Sequence, residues 1–475
     1  MNDREIKQKP KETRSQIREE SIAEAVPCII KGGNVVFSEG VAESDLLIEE
    51  GIIKCIGKEL EVRSRDTVID ASGKYVLPGL IDAHVHPQYE DNFQDLSEAA
   101  AFGGITTLIH YVYVREGTDL IEKIEESVNE GKKNSHLDFA LHASLQDAES
   151  QMLQIKEAIA RGVTSFKMFM AFAKRGMSVS DKLLIAVMDR IGRLGGMSMV
   201  HAEDVACEYL EEQFIAEGKI SPAFYPQSRP NQFEADAVSR AIIFANTVNC
   251  PLYLVHLSAR ESLEPVRNAR AAGQVVYAET CPHYLTLTDD IFERLGSLAK
   301  CAPPIRKAAD VEAMWGAIRN HLVDVVASDH SGQKMEKRQS NNVFDAPFGI
   351  PGTETMFYLL HEEGVNRKRI GLPMLVKVLS ENPAKIFGLY PKKGALRVGS
   401  DADLVILDPG ESHVIGAKTL HGKSDFTLHE GWKCNGKPVL TMQRGKIVLK
   451  DGVLNSKPGD GTFLPRKVSK GQTLL

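Results

Sequence analysis

Eight short apolar runs, separated by helix-length amphipathic stretches, constrain this chain more than any other feature of its sequence. They are Leu80–His84, Ile105–Ile109, Asp138–His142, Val163–Lys167, Met197–His201, Leu252–His256, Val275–Glu279 and Val323–Asp329. Helical periodicity at Asp119–Glu130, Asp181–Leu194, Ser262–Ala272 and Val311–His321 falls between them. Strands that alternate with helices in this way predict parallel βα units, and eight of them predict a TIM-like (β/α)8 barrel. An open α/β sheet would alternate in the same way.

The flanks read differently. From Val26 to Val76 the runs CIIKGG, NVVFSEG, DLLIEEG and IIKCIG are punctuated by glycine, and SDADLVILDP and KPVLTMQRGKIVLKDGVL repeat that texture near the end. Both ends are therefore expected to share one small β-sandwich. The predicted organisation is a charged N-terminal tail (1–25), an N-terminal sandwich segment (26–77), the barrel (78–394), a C-terminal sandwich segment (395–455) and a C-terminal tail (456–475). A chain of 475 residues has room for such a barrel plus an accessory unit.

Composition excludes several function classes. A net charge of −7 gives no electrostatic reason for a nucleic-acid partner. Seven cysteines without a C-x-x-C pair argue against a disulfide framework or a cysteine zinc site, and favour a reducing cytoplasm. The start lacks an apolar signal core, and no apolar run is long enough to span a membrane. A small molecule is the expected partner.

Catalytic groups of such barrels gather where strands end. Here the tips carry Asp82-Ala83-His84-Val85-His86, Phe166-Lys167, Val200-His201, Val255-His256 and Ser328-Asp329-His330. His84 and His86 share a strand face, so together they suit one metal ion, although two histidines hydrogen-bonded in a loop satisfy the same spacing. Lys167 closes an apolar strand, where an ammonium needs either an ion pair with Asp329 or Glu279, or carbamylation to a bridging carboxylate. His201 and His256 end adjacent strands. Asp329 suits a ligand that also accepts a proton from a metal-activated water. A metal pair about 3.5 to 4 Å apart would supply a hydroxide nucleophile and a Lewis acid together, which makes hydrolysis the expected chemistry.

With these residues in place, the chain resembles the cyclic amidohydrolases: the hydantoinases, dihydropyrimidinases, allantoinases and dihydroorotases. The likeness rests on GLIDAHVHP (79–87), GGITTLI (103–109), SFKMFMA (165–171), VHAED (200–204), LVHLS (254–258), AETCPHYL (278–285), KCAPPIR (300–306), VASDHS (326–331) and the segment from Asn382 to Asp408. The resemblance implies His84 and His86 on one ion, His201 and His256 on the other, carbamylated Lys167 (N6-carboxylysine) bridging, and Asp329 as ligand and general base. It implies two divalent ions, zinc by default, with manganese, cobalt or iron able to use the same ligands. It also implies a homotetramer or dimer, and opening of a cyclic amide by a metal-bridging hydroxide.

Departures from the family pattern bear on substrate. Where dihydropyrimidinases and many D-hydantoinases carry an oxyanion-binding tyrosine, this chain has Phe172, which has no hydroxyl. Pro87 and Gln88 follow His86 in place of the Leu-Arg of dihydroorotases. The AETCPHYL and KCAPPIR segments look like allantoinase and L-hydantoinase, and the stretch from Gly349 to Gly394 looks most like L-hydantoinase. By resemblance, backbone near Ala302 and Gly349 would hold the ring, while Phe172 and the loops Gln88–Asn92 and Tyr111–Glu116 would shape the substituent pocket. Tyr111 or Tyr113 would be a source of the missing hydroxyl. A hydantoin ring is the preferred substrate. Allantoin, a dihydropyrimidine and dihydroorotate are alternatives, and a non-catalytic scaffold on the same fold is a further reading.

Overall fold

The computed structural model describes residues 27–467, so the charged stretch 1–25 and residues 468–475 lie outside the described residues. Five strands open the chain: β1 (Cys28–Phe37), β2 (Gly40–Glu49), β3 (Ile52–Gly57), β4 (Thr67–Asp70) and β5 (Tyr75–Pro78). Eight follow at the expected places: β6 (Leu80–Val85), β7 (Ile105–Val114), β8 (Asp138–Leu145), β9 (Ser165–Phe169), β10 (Met197–His201), β11 (Leu252–Leu254), β12 (Val276–Thr280) and β13 (Val325–Val326). Four close the chain: β14 (Leu404–Val414), β15 (Lys433–Gln443), β16 (Lys446–Lys450) and β17 (Val453–Leu454).

Strands β6 to β13 pair in sequence order, all parallel. A parallel bridge from Val85 to His330 brings the two edges together, so the sheet is a nearly closed barrel. Alternation sorts the side chains. On β7, Ile109 and Tyr111 join an interior cluster with Ile81, Met199, Tyr253 and Phe387, while Leu108 and Val112 face the helices in the larger outer core. On β9 and β10, Phe166, Met168 and Val200 face that outer layer, which leaves Lys167 and His201 on the inner side. Each fully buried Phe or Leu of this layer contributes about 1.5–3 kcal/mol.

Two of the long barrel helices begin at capping side chains. Asp119 accepts hydrogen bonds from the backbone N–H groups of Ile121 and Glu122 ahead of Leu120–Asn134, and Ser180 accepts from Leu183 ahead of Asp181–Arg193.

The two chain ends form one mixed sheet, ordered β17-β16-β15-β14-β5-β1-β2-β3 with β4 on β1. The antiparallel pairing of β14 with β5 joins the late strands to the early ones directly before the barrel begins. The chain then returns to the barrel. The Phe139 N–H donates to Thr462 O, the Leu464 N–H to Phe139 O and the Arg466 N–H to Gly162 O, and Leu464 joins the interior cluster.

Candidate metal centre

The strand ends of the barrel converge on a cavity of about 240 Å3. His86, Lys167, His201, His256 and Asp329 line it, together with Phe172, Ala302 and Gly349. His84 lies beneath the lining, with Nε2 3.0 Å from Lys167 Nζ and 3.1 Å from Asp329 Oδ1. His86 Nε2 is 2.9 Å from the same carboxylate oxygen. Ring nitrogens of His84 and His86 and a carboxylate oxygen of Asp329 thus lie within 4.8 Å of one another. Across the cavity His201 Nδ1 faces His256 Nε2 at 2.9 Å. All nine residues proposed from the sequence for metal, catalysis or substrate are therefore gathered in one place. A second cavity of about 370 Å3, lined by Phe37, Tyr390 and Arg397 among others, contains none of them.

Local backbone explains how two of these side chains reach inward. His256 and Asp329 adopt φ of 40° and 50°, the left-handed region that non-glycine residues rarely enter. Each lies just beyond a short strand, so the turn in the backbone aims the side chain into the barrel mouth. Phe172, at φ 67°, turns the chain after β9, and its ring lies 4.8 Å from that of His201 and 5.4 Å from that of Phe348. Gly349 has φ 124°, and a Cβ there would meet Ser331 Cβ at 2.7 Å and Gln333 Nε2 at 2.8 Å. Only glycine fits.

Two carboxylates hold the imidazoles: Glu203, to which the sequence pattern gave no role, and Glu279, which it named only as an ion-pair partner for Lys167. Glu279 accepts from His84 Nδ1 at 2.6 Å, from the Tyr253 hydroxyl at 2.8 Å and from the His256 backbone N–H at 3.0 Å. Glu203 pairs with His201 Nε2 at 2.8 Å and with Arg229 at 3.0 Å. A ring nitrogen that donates to a carboxylate leaves the other nitrogen as a lone-pair donor, the arrangement that metal-ligating histidines use. Glu203 stands within VHAED and Glu279 within AETCPHYL, and proximity to the histidine motifs was the signal available.

Lys167 makes no ion pair among the described residues. Its Nζ meets His84 Nε2 and the rings of Tyr111 at 4.4 Å and Phe169 at 5.3 Å. Burial pulls it down to about 8, against the charges of Asp329 and Glu279, which favour the ammonium. Burial also pulls His86 down to about 3. At Asp329 burial acts upward, but the charges and hydrogen bonds of His84 and His86 outweigh it and hold the carboxyl well below its usual range.

The two tyrosines differ in depth. Tyr111 is buried in the barrel interior, its hydroxyl 3.6 Å from Met199 Sδ, whereas Tyr113 lines the cavity with its hydroxyl 3.3 Å from His86 Nδ1.

With this geometry in place, comparison with known proteins is decisive. The profile of the amidohydrolase family matches residues 75–448. The chain belongs to the amidohydrolase family. Within it, this amidohydrolase falls in the hydantoinase and dihydropyrimidinase group. It is 38% identical over 458 residues to a D-hydantoinase of Ralstonia pickettii, covering 93% of this chain and 99% of that protein. A solved dihydropyrimidinase from Brevibacillus agri NCHU1002 superposes with a TM-score of 0.89 at 31% identity, covering 93% of this chain and 99% of the other. The L-hydantoinase (dihydropyrimidinase) from Arthrobacter aurescens superposes with a TM-score of 0.88 at 34% identity, covering 92% and 99%. The expected group is thus found. A D-phenylhydantoinase of Escherichia coli is 36% identical over 92% of this chain, so D-type relatives match at 36–38% and the L-hydantoinase at 34%, which gives the lean toward the L type no separate support. Among the described residues no helix is long and apolar enough to cross a membrane.

Proposed function

We propose that this amidohydrolase opens a hydantoin-type cyclic amide to the corresponding N-carbamoyl acid. The observation that carries the reading is the convergence of His84, His86, Lys167, His201, His256 and Asp329 on one barrel-mouth cavity, in a chain 38% identical to a D-hydantoinase over nearly its whole length.

The donor set fits divalent metal. Imidazoles backed by carboxylates, a carboxylate shared between His84 and His86, and a pair of facing ring nitrogens at His201 and His256 are nitrogen and oxygen donors of the kind zinc, manganese, cobalt and iron accept. His84 and His86 would hold one ion, His201 and His256 a second, with Asp329 as a further ligand. Lys167 supports a bridging role because it is buried without a carboxylate partner. Once its ammonium has lost a proton, the neutral amine adds to carbon dioxide, forming an N–C bond and releasing a second proton, and the side chain becomes a carbamate. When bound, such ions polarise the ring carbonyl and acidify the attacking water.

The chain's own residues then do the following. Backbone around Ala302 and Gly349 holds the ring against the cavity wall. The Asp329 carboxylate takes a proton from the water as the water oxygen bonds to the carbonyl carbon. It delivers that proton to the ring nitrogen as the C–N bond breaks, so the products are an acid and a ureido group. Phe172 supplies no hydroxyl; the phenols lining the cavity are Tyr89 and Tyr113, and the Tyr113 hydroxyl lies 3.3 Å from His86 Nδ1.

The test is ring opening by the metal-loaded enzyme across hydantoin, both enantiomers of a 5-substituted hydantoin, dihydrouracil, allantoin and dihydroorotate. Turnover of hydantoins above the rest supports the reading and shows the handedness. Turnover of allantoin or dihydroorotate alone reassigns the substrate, and a metal-loaded protein that opens none of these rings overturns it.

A further inference from the structure

The cavity carries charge that ring opening leaves unused. Arg115 and Arg175 both line it, beside Gln88, Tyr89 and Gln146. Both arginines are exposed, and neither forms an ion pair within the described residues. Asp329 is the one carboxylate among the lining residues, and its Oδ1 is already engaged by His84 and His86.

Around the same wall the cations reinforce each other. The Arg175 guanidinium lies 4.6 Å from the centroid of the Phe348 ring, and Lys300 Nζ lies 4.5 Å from that centroid. Arg229, 5.5 Å from it, is neutralised by Glu203 and Glu211. Lys300 is not neutralised in this way: its ammonium donates to the backbone oxygens of Phe344 and Ala346. Burial, with Arg229, Arg175 and Arg338 adding repulsion, pulls Lys300 down to about 7 against the opposing charge of Glu211.

An exposed arginine is ordinarily just solvated. Two features set this pair apart. The chain as a whole is acidic, with 64 Asp and Glu against 57 Lys and Arg, yet its cavity entrance presents arginines without counter-charges. In addition, Arg175 is stacked on an aromatic ring, which orients its planar fork in advance and lowers the ordering cost of a two-pronged bond to a carboxylate.

We propose that Arg115 and Arg175 select cyclic ureides whose ring substituent ends in a carboxylate. The inference rests on the hydantoinase reading and extends it to the substrate class. The ring sits against the metal ligands, and the substituent runs outward past Phe172 and Tyr89 to the guanidinium groups. Field lines focused in a narrow cleft also raise the encounter rate of an anion, so salt weakens the preference.

The experiment compares 5-(2-carboxyethyl)hydantoin with its neutral near-isostere 5-(2-carbamoylethyl)hydantoin. It measures kcat/KM on the metal-loaded full chain and, by calorimetry, equilibrium binding of the same two compounds. The expected result is an acid-to-amide ratio of at least tenfold at low ionic strength, shrinking toward one in 0.5 M salt and in the double variant R115Q/R175Q. Arg65→Gln, an exposed arginine in the turn before β4, should leave the ratio as it is. An acid that binds and turns over no better than the amide in the parent enzyme overturns the proposal without recourse to any variant. Opening of unsubstituted hydantoin is followed alongside. Its absence would count against the ring-opening reading, while the binding comparison would still decide the anion preference.

Discussion

Asp329 and Lys167 occupy opposite ends of one electrostatic arrangement, and each has its own expected signature. Asp329 touches both His84 and His86, so Asp329→Asn keeps a similar shape and one oxygen donor while removing the base. The expected result is a fall in kcat of about 10²–10⁴-fold with a normal melting curve; a near-normal kcat would remove Asp329 from the proton transfer. Lys167→Ala is expected to lose bound metal and at least about a hundredfold in activity, with partial recovery when a short carboxylic acid and metal are added together. Metal content and rate measured with and without acetate check this, and full activity in the unsupplemented variant would end the bridging role. The positions of all six proposed ligands were legible in the sequence because each sits at the tip of an apolar run. The carboxylates behind them were not. Glu279 holds His84 across a separation of 195 residues, and no local pattern announces such a pairing. Nor does sequence separate Tyr111 from Tyr113, since both face inward on β7 and only depth in the barrel distinguishes them.

At the scale of elements, β7 carries an uncompensated polar group on its outer face. His110 is fully buried between Phe93 and Phe139, with ring centroids at 4.3 and 6.2 Å, and neither of its ring nitrogens has a hydrogen-bond partner within the described residues. Burial, with the charge of His86 adding to it, pulls it down to about 3. The folded state therefore binds fewer protons at this site than the unfolded chain, whose histidine titrates near 6.5. Stability from this residue is complete above that value and drains away as pH falls toward 3. Between pH 7.5 and pH 5 the loss is about 2 kcal/mol. His110→Leu should then melt closer to the parent, or above it, at pH 5 than at pH 7.5; a pH-independent difference in Tm would refute the assignment. The strands themselves were readable to within a few residues, except where function interrupts them. Of the apolar run Val323–Asp329 the regular strand covers Val325–Val326, and of the run Leu252–His256 it covers Leu252–Leu254. Apolar runs report burial, whereas the left-handed turns at Asp329 and His256 that end the ladders early carry no apolar signal.

For the whole molecule, the sequence showed that both chain ends are β-rich and that a barrel lies between them, but not that β14 would pair directly with β5 or that Leu464 would return to the barrel interior. Such long-range pairings depend on complementary edges, not on local periodicity. The same architecture makes the metal centre a matter of global stability. His84, Lys167, His201 and His256 are each no more than 2% exposed and come from four different strands or strand ends, so two ions held as proposed, with Lys167 between them, would tie β6, β9, β10 and the end of β11 together. In the unfolded chain these donors are far apart, so bound metal would favour the folded state. At free metal a thousandfold above its dissociation constant the gain is about 4 kcal/mol. Chelation followed by dialysis should therefore abolish ring opening and lower Tm together, and titrating zinc, manganese, cobalt or iron back should restore both along one saturation curve. If activity returns with no change in Tm, the ion binds without bracing the strands. If Tm rises while no ring in the substrate panel is opened, the centre is structural, and the hydrolase reading fails even though the metal site stands.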